Sequence, residues 1–155
     1  MTSTNRRHVL HMLATAVGMA ALPAMAAAPA KIAMEVWKDP NCGCCGKWAE
    51  HMRANGFRVK EVATREMDAV KHEAGVPQAL ASCHTAKVGG YIVEGHVPAA
   101  DVKRMLAQKP AITGLSAPGM PLGSPGMEGP YAAERYDVVS FDSAGKGAVF
   151  ARDRK

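Results

Sequence analysis

Cys42-Gly43-Cys44-Cys45 sets three thiols within four residues, at the point where one chain periodicity gives way to another. Before it, Ile32 to Trp37 is an apolar run that reads as a strand and stops at the turn signal Asp39-Pro40-Asn41. After it, Cys45, Trp48, Ala49 and Met52 recur at helical spacing up to Asn55-Gly56, a C-terminal stop, which predicts a helix over about 44–55. The thiols therefore fall at a helix N-terminus, where the thiolate form is favoured and sulfur becomes reactive or ligating. Three neighbouring thiolates at roughly 4 Å would repel by on the order of 4 kcal/mol per pair at a surface-like dielectric. They require protons, a disulfide or cations. A single tetrahedral Zn takes two ligands from a C-x-x-C knuckle and two from a distant pair, which leaves one of the three sulfurs over. Several soft monovalent ions shared by bridging thiolates fit better, and thiolate with thioether selects Cu(I).

A distal partner stands ready in Cys83-His84, just before the next predicted strand. Phe57 to Val62 alternates as a strand, and Glu66 to Ala74 fits a short helix closed by Gly75. Thr85 to Val88 and Tyr91 to Glu94 form two strand-like runs around Gly89-Gly90, a hairpin signal. A helix is predicted from about Pro98 to Gln108, with Val102, Met105 and Leu106 on one face. This order gives an α/β sandwich with one mixed sheet. In a thioredoxin-like topology Cys83 and His84 would face the cysteines across a cleft.

Pro110 to Pro130 is too rich in glycine for a helix and too long for a plain connector, so it is expected to carry function. It holds Pro118-Gly119-Met120 and Pro125-Gly126-Met127, whose thioethers either reach a Cu(I) site, Met120 ahead of Met127, or close over it as packing. His96, at the end of a strand, either binds metal or orients a ligand. His51 and His72 read as solvated surface histidines, and Met34, Met52, Met67 and Met105 as packing. Tyr136 to Phe141 and Gly147 to Ala151 form a C-terminal β-hairpin around Ser143 to Lys146.

Residues 1–26 read as a cleaved signal peptide: Arg6-Arg7, an apolar stretch from Val9 to Leu22, then Ala24-Met25-Ala26. Arg6-Arg7 loosely resembles a twin-arginine signal, and the general secretory route fits equally. Removing this segment takes away two arginines and no acid, lowering the formal net charge from +5 to +3. The remaining residues, 27–155, form one domain with no basic stripe, so nucleic acid is excluded as a partner. The apolar stretch in the leader is too short to span a bilayer comfortably, and no membrane attachment is expected after cleavage.

The strings Pro40-Asn41-Cys42-Gly43-Cys44-Cys45-Gly46-Lys47-Trp48, Ser82-Cys83-His84-Thr85-Ala86, Val88-Gly89-Gly90-Tyr91, Glu94-Gly95-His96-Val97-Pro98-Ala99 and Pro118-Gly119-Met120-Pro121 through Ser124-Pro125-Gly126-Met127-Glu128 resemble those of the periplasmic copper-resistance CopG family. This exported copper family is unrelated to the DNA-binding repressor of the same name. The resemblance covers nearly all of the chain after residue 26. It implies a thioredoxin-like fold, a periplasmic location, and a multinuclear copper cluster bridged by cysteines that is suspected of redox chemistry in detoxification. Cys42, Cys44, Cys45, Cys83 and His84 match the cluster-binding motifs, and the resemblance does not assign which of Met120, Met127 and His96 completes the shell.

Two functions remain open on the residues. One is a periplasmic copper-binding protein, a monomer dealing with copper ions and other periplasmic copper-handling proteins, with copper-dependent oxidoreductase activity an open question. The other is a metal-free thiol-disulfide oxidoreductase with Cys42 as nucleophile and Cys45 as resolving thiol. A structural Zn site is a third arrangement, redox silent.

Overall fold

Strand β1, Ile32–Lys38, buries Met34 and Val36 while the intervening Glu35 is only half-buried, the alternation that sets one face of a strand against a core. In the computed structural model, which describes residues 30–154, the chain then turns at Asp39 to Cys42 into helix α1, Gly43–Ala54. The proposed signal peptide lies outside the described residues. Strand β2, Phe57–Ala63, helix α2, Met67–Glu73, and a single 3-10 turn at Gln78–Leu80 follow. Next come β3, His84–Val88, β4, Tyr91–Gly95, and helix α3, Ala99–Gln108. The chain ends in β5, Gly114–Ala117, β6, Tyr136–Phe141, and β7, Gly147–Arg154.

All seven strands join one mixed sheet in the order β2-β1-β3-β4-β5-β6-β7. β1 pairs parallel to β2 and antiparallel to β3, and the expected β3–β4 hairpin turns at Gly89-Gly90. The register sets Val36 opposite Ala86 and Ala86 opposite Val93, and these side chains meet Trp48 and Met52 of α1 and Val102 and Met105 of α3 in the core. The alternate positions Trp37, Thr85 and Glu94 fall on the other face, where α2 packs against β1 and β3. The expected α/β sandwich with one mixed sheet is therefore present. Among the described residues no helix is long and apolar enough to cross a membrane.

Two departures from the sequence reading matter. The stretch between Pro110 and Pro130 is not all loop, because Gly114–Ala117 enters the sheet as β5, parallel to β4 and antiparallel to β6. Four residues among prolines and glycines carry too little periodicity to be read as a strand; the ladder partners on both sides create it. The second departure is His51, which is not a solvated surface residue: it is half-buried on α1, and its Nε2 accepts the Ala99 N–H at 3.2 Å.

Candidate metal centre

The turn from β1 to α1 is tied by Asp39, whose carbonyl accepts the Cys42 N–H at 3.0 Å and whose carboxylate accepts the Asn41 N–H at 2.7 Å. This makes Cys42 the N-cap of α1 and puts Cys44 and Cys45 in its first turn. The Cys42 and Cys45 sulfurs are joined as a disulfide, and Cys44 and Cys83 are free thiols. Cys44 Sγ lies 3.5 Å from Cys42 Sγ and 3.9 Å from Cys83 Sγ. All four sulfurs lie within 4.8 Å of one another.

β3 begins immediately after Cys83, so the strand start brings the distal cysteine to the helix N-terminus. Cys83 is also the hinge to a second group, with its Sγ 3.5 Å from His84 Nδ1 and 3.0 Å from His96 Nε2. Burial, with Cys44 alongside, pushes the Cys83 thiol up to about 12. Both imidazoles are fully buried, and burial drives His84 well below, and His96 below, the usual histidine value. They are neutral, the form that ligates metal.

His96 Nδ1 stands 2.7 Å from the Pro125 carbonyl oxygen. A carbonyl only accepts, so Nδ1 carries the proton and Nε2 turns its lone pair toward Cys83. His84 packs at a tilt against Trp48 with ring centroids 4.4 Å apart, Trp48 donates its indole N–H to the Val97 carbonyl at 2.9 Å, and His84 Nε2 is buried without a hydrogen-bond partner. Two free thiols, two neutral imidazoles, one with an orphaned nitrogen, and the two further thiols that reduction of the disulfide would release make a sulfur-rich donor set that suits soft metal ions rather than hard divalent ones.

The Pro/Gly stretch closes over this cleft. On one flank the Gly119 N–H donates to the Ala81 carbonyl at 3.2 Å and the Ser82 hydroxyl donates to the Gly119 carbonyl. On the other, Gly126, with φ +86°, rests on α1 so closely that a Cβ there would stand 2.7 Å from the Cys44 carbonyl oxygen and the Trp48 nitrogen. Met127 follows Gly126 and is half-buried, whereas Met120 is 55% exposed. The cysteines, His84 and His96 are thus brought together, and Met120 points its bulk to solvent.

Sequence reasoning missed the Pro125 carbonyl and Glu94. Glu94 is fully buried and bonded to Ser82, Thr85 and Lys71. Its only signal was a carboxylate at the end of an otherwise apolar run.

Residues 80–127, which span Cys83, His84, His96, Met120 and Met127, match a family described as protein of unknown function DUF411. No curated protein matches the chain. Among solved structures, copper resistance protein CopG in its form 2 is 43% identical over 80% of this chain and 99% of its own, with a TM-score of 0.76. Its form 1 is 42% identical over 81% of this chain and 99% of its own, at the same TM-score. With identity of that level along the whole of a solved relative, and cysteines gathered as a metal-capable cluster, the chain belongs to the CopG copper-resistance family.

Proposed function

We propose that the protein acts in copper resistance in the periplasm, after loss of residues 1–26, by holding a cysteine-bridged multinuclear Cu(I) cluster between the α1 N-terminus and Cys83-His84. The observation that carries this reading is that Cys83 belongs both to the four-sulfur group and to the group with His84 and His96. One tetrahedral ion cannot use four sulfurs and two imidazoles, and thiolates shared between ions can. Cys42, Cys44, Cys45 and Cys83 are the bridging donors once the Cys42–Cys45 disulfide is reduced. His84 and His96 cap the buried side, with His96 held in the ligating tautomer by Pro125, and Met127, half-buried where Met120 is exposed, is the thioether assigned to the shell. Copper held this way supplies one-electron exchange between Cu(I) and Cu(II). The order β2-β1-β3-β4, with cysteines at the head of α1, supports a thioredoxin-like description of that half of the sheet. A monomer that exchanges copper with other periplasmic copper-handling proteins completes the proposal.

The metal-free thiol-disulfide oxidoreductase is the second reading, favoured by the Cys42–Cys45 disulfide. Metal analysis with a thiol count on the reduced protein, loaded anaerobically with Cu(I), separates the two. The expected result is several coppers per chain, lost together in Cys44→Ser or Cys83→Ser. No retained copper, with Cys42 and Cys45 cycling as a disulfide and both serine variants fully active in thiol exchange, would overturn the cluster.

A further inference from the structure

From the carboxylate at the end of β4 we infer that Glu94 is the positioning residue that holds the Cys83-His84 pair in place against the thiols of α1. The inference rests on the copper reading above for its consequence and on the hydrogen bonds alone for its geometry. Glu94 is fully buried. Its Oε1 accepts the Ser82 N–H at 2.6 Å and the Lys71 ammonium at 2.5 Å, and its Oε2 accepts the Thr85 hydroxyl at 2.7 Å. Ser82 and Thr85 bracket Cys83-His84, so one carboxylate grips the backbone just before the pair and a side chain just after it.

The surroundings fit this role. Strand alternation sends His84 to the α1 face and Thr85 to the α2 face, so a clamp on Thr85 works from behind without occupying the cleft. Lys71 supplies the countercharge and also donates to the Thr85 hydroxyl at 3.1 Å. It comes from α2, a helix with no fully buried residue that packs against β1 and β3 on this face. Gly95, with φ +71°, lets Ser82 come close: a Cβ there would run into the Ser82 side chain and stand 2.8 Å from the Ala117 carbonyl oxygen. The β3 ladder starts only at His84, and before it Ser82 is held between Gly119 of the Pro/Gly stretch and the Glu94 carboxylate.

Partners that orient metal ligands are worth about 10–100-fold in metal affinity. Glu94→Ala should therefore weaken Cu(I) binding, measured by competition with a chromophoric Cu(I) chelator, by about 10–100-fold. It should also alter the thiolate-to-copper absorption of the loaded protein. Glu94→Gln retains a carbonyl acceptor and should recover part of both. Arg154→Ala, which loosens a polar network between α3 and β7, controls for general destabilisation and should leave both readouts at wild-type values. A metal-free readout stands beside these: iodoacetamide labelling of Cys83 relative to Cys44, followed by peptide mass spectrometry on the disulfide form. That ratio should rise several-fold in Glu94→Ala. Should Glu94→Ala fail to fold, Thr85→Val, which removes only the bond to Oε2, should shift both readouts the same way by less. Folded variants with wild-type affinity, spectrum and labelling ratio would overturn the role of Glu94. A wild-type protein that takes up no copper, with the labelling ratio still raised in the variant, would instead overturn the copper reading and leave the clamp standing.

Discussion

His51 illustrates how far one side chain's role depends on its surroundings. By sequence it sits among charged residues of α1; in the fold its Nε2 receives the Ala99 N–H, capping α3 where Pro98 provides no side-chain cap. That bond needs a neutral ring. Desolvation lowers the His51 pKa below the usual 6.5, with Lys103 acting in the same direction and Glu128 against it. The unfolded chain therefore takes up a proton that the folded chain resists, so stability is fully present above about pH 6.5 and is lost as pH falls below it. Buried His84 and His96 shift the same way, so the wild-type slope is a joint one. His51→Ala isolates the share of this residue. Above about pH 6.5 the variant should be less stable by about 0.5–2 kcal/mol, the cost of a lost cap, and thermal melts should show the gap narrowing toward about pH 5. A gap that stays constant with pH would exclude the histidine cap. At this scale the thiols were legible because their spacing has few structural explanations. Glu94 was not, since a carboxylate in a strand ordinarily faces water and only the third dimension supplies Lys71.

At the scale of elements, the site is a junction of three pieces: the head of α1, the start of β3 and the proline-rich lid. Gly126 is where lid and helix touch backbone to backbone. An alanine there would need both a left-handed conformation and room that the Cys44 carbonyl and Trp48 nitrogen cannot yield. Gly126→Ala should lift Pro125 away from His96, at a cost of about 1–3 kcal/mol for the strained residue, and should speed release of Cu(I) to a chelator. Equilibrium denaturation and a stopped-flow transfer experiment measure the two effects. Wild-type values in both would mean that the lid does not bear on α1. The elements themselves were largely legible: α1 showed in Cys45, Trp48, Ala49 and Met52, and the β3–β4 hairpin in its paired glycines. β5 was hidden because its strand character comes from β4 and β6, residues distant in sequence. The Pro/Gly stretch was recognisable as more than a plain connector, but its attachment at Gly119 and Pro125 uses backbone groups, which residue type does not encode.

Across the whole molecule, the sheet separates two jobs. The cysteines collect at the β1–α1 turn and the start of β3, while the hairpin of β6 and β7 extends the sheet on the far side of β5. That extension is tied back to α3 by Asp101, a fully buried carboxylate. Arg154 donates to both of its oxygens, at 2.6 and 2.9 Å, and Arg104 donates to it at 3.2 Å while covering the Phe150 ring. A buried acid with two arginines is more costly to break than an exposed pair, although Arg154 is itself partly solvated. Arg154→Ala should destabilise the fold by about 1–3 kcal/mol, because it strips Asp101 of its bidentate partner. Urea denaturation should show a lower midpoint with an unchanged slope, the signature of lost stability without a change in the surface exposed. Copper stoichiometry should stay at the wild-type value, since the tie lies outside the junction that gathers the thiols. A lowered midpoint accompanied by lost copper would mean that the hairpin supports the metal centre through the sheet, and an unchanged midpoint would mean that Arg104 alone satisfies the acid.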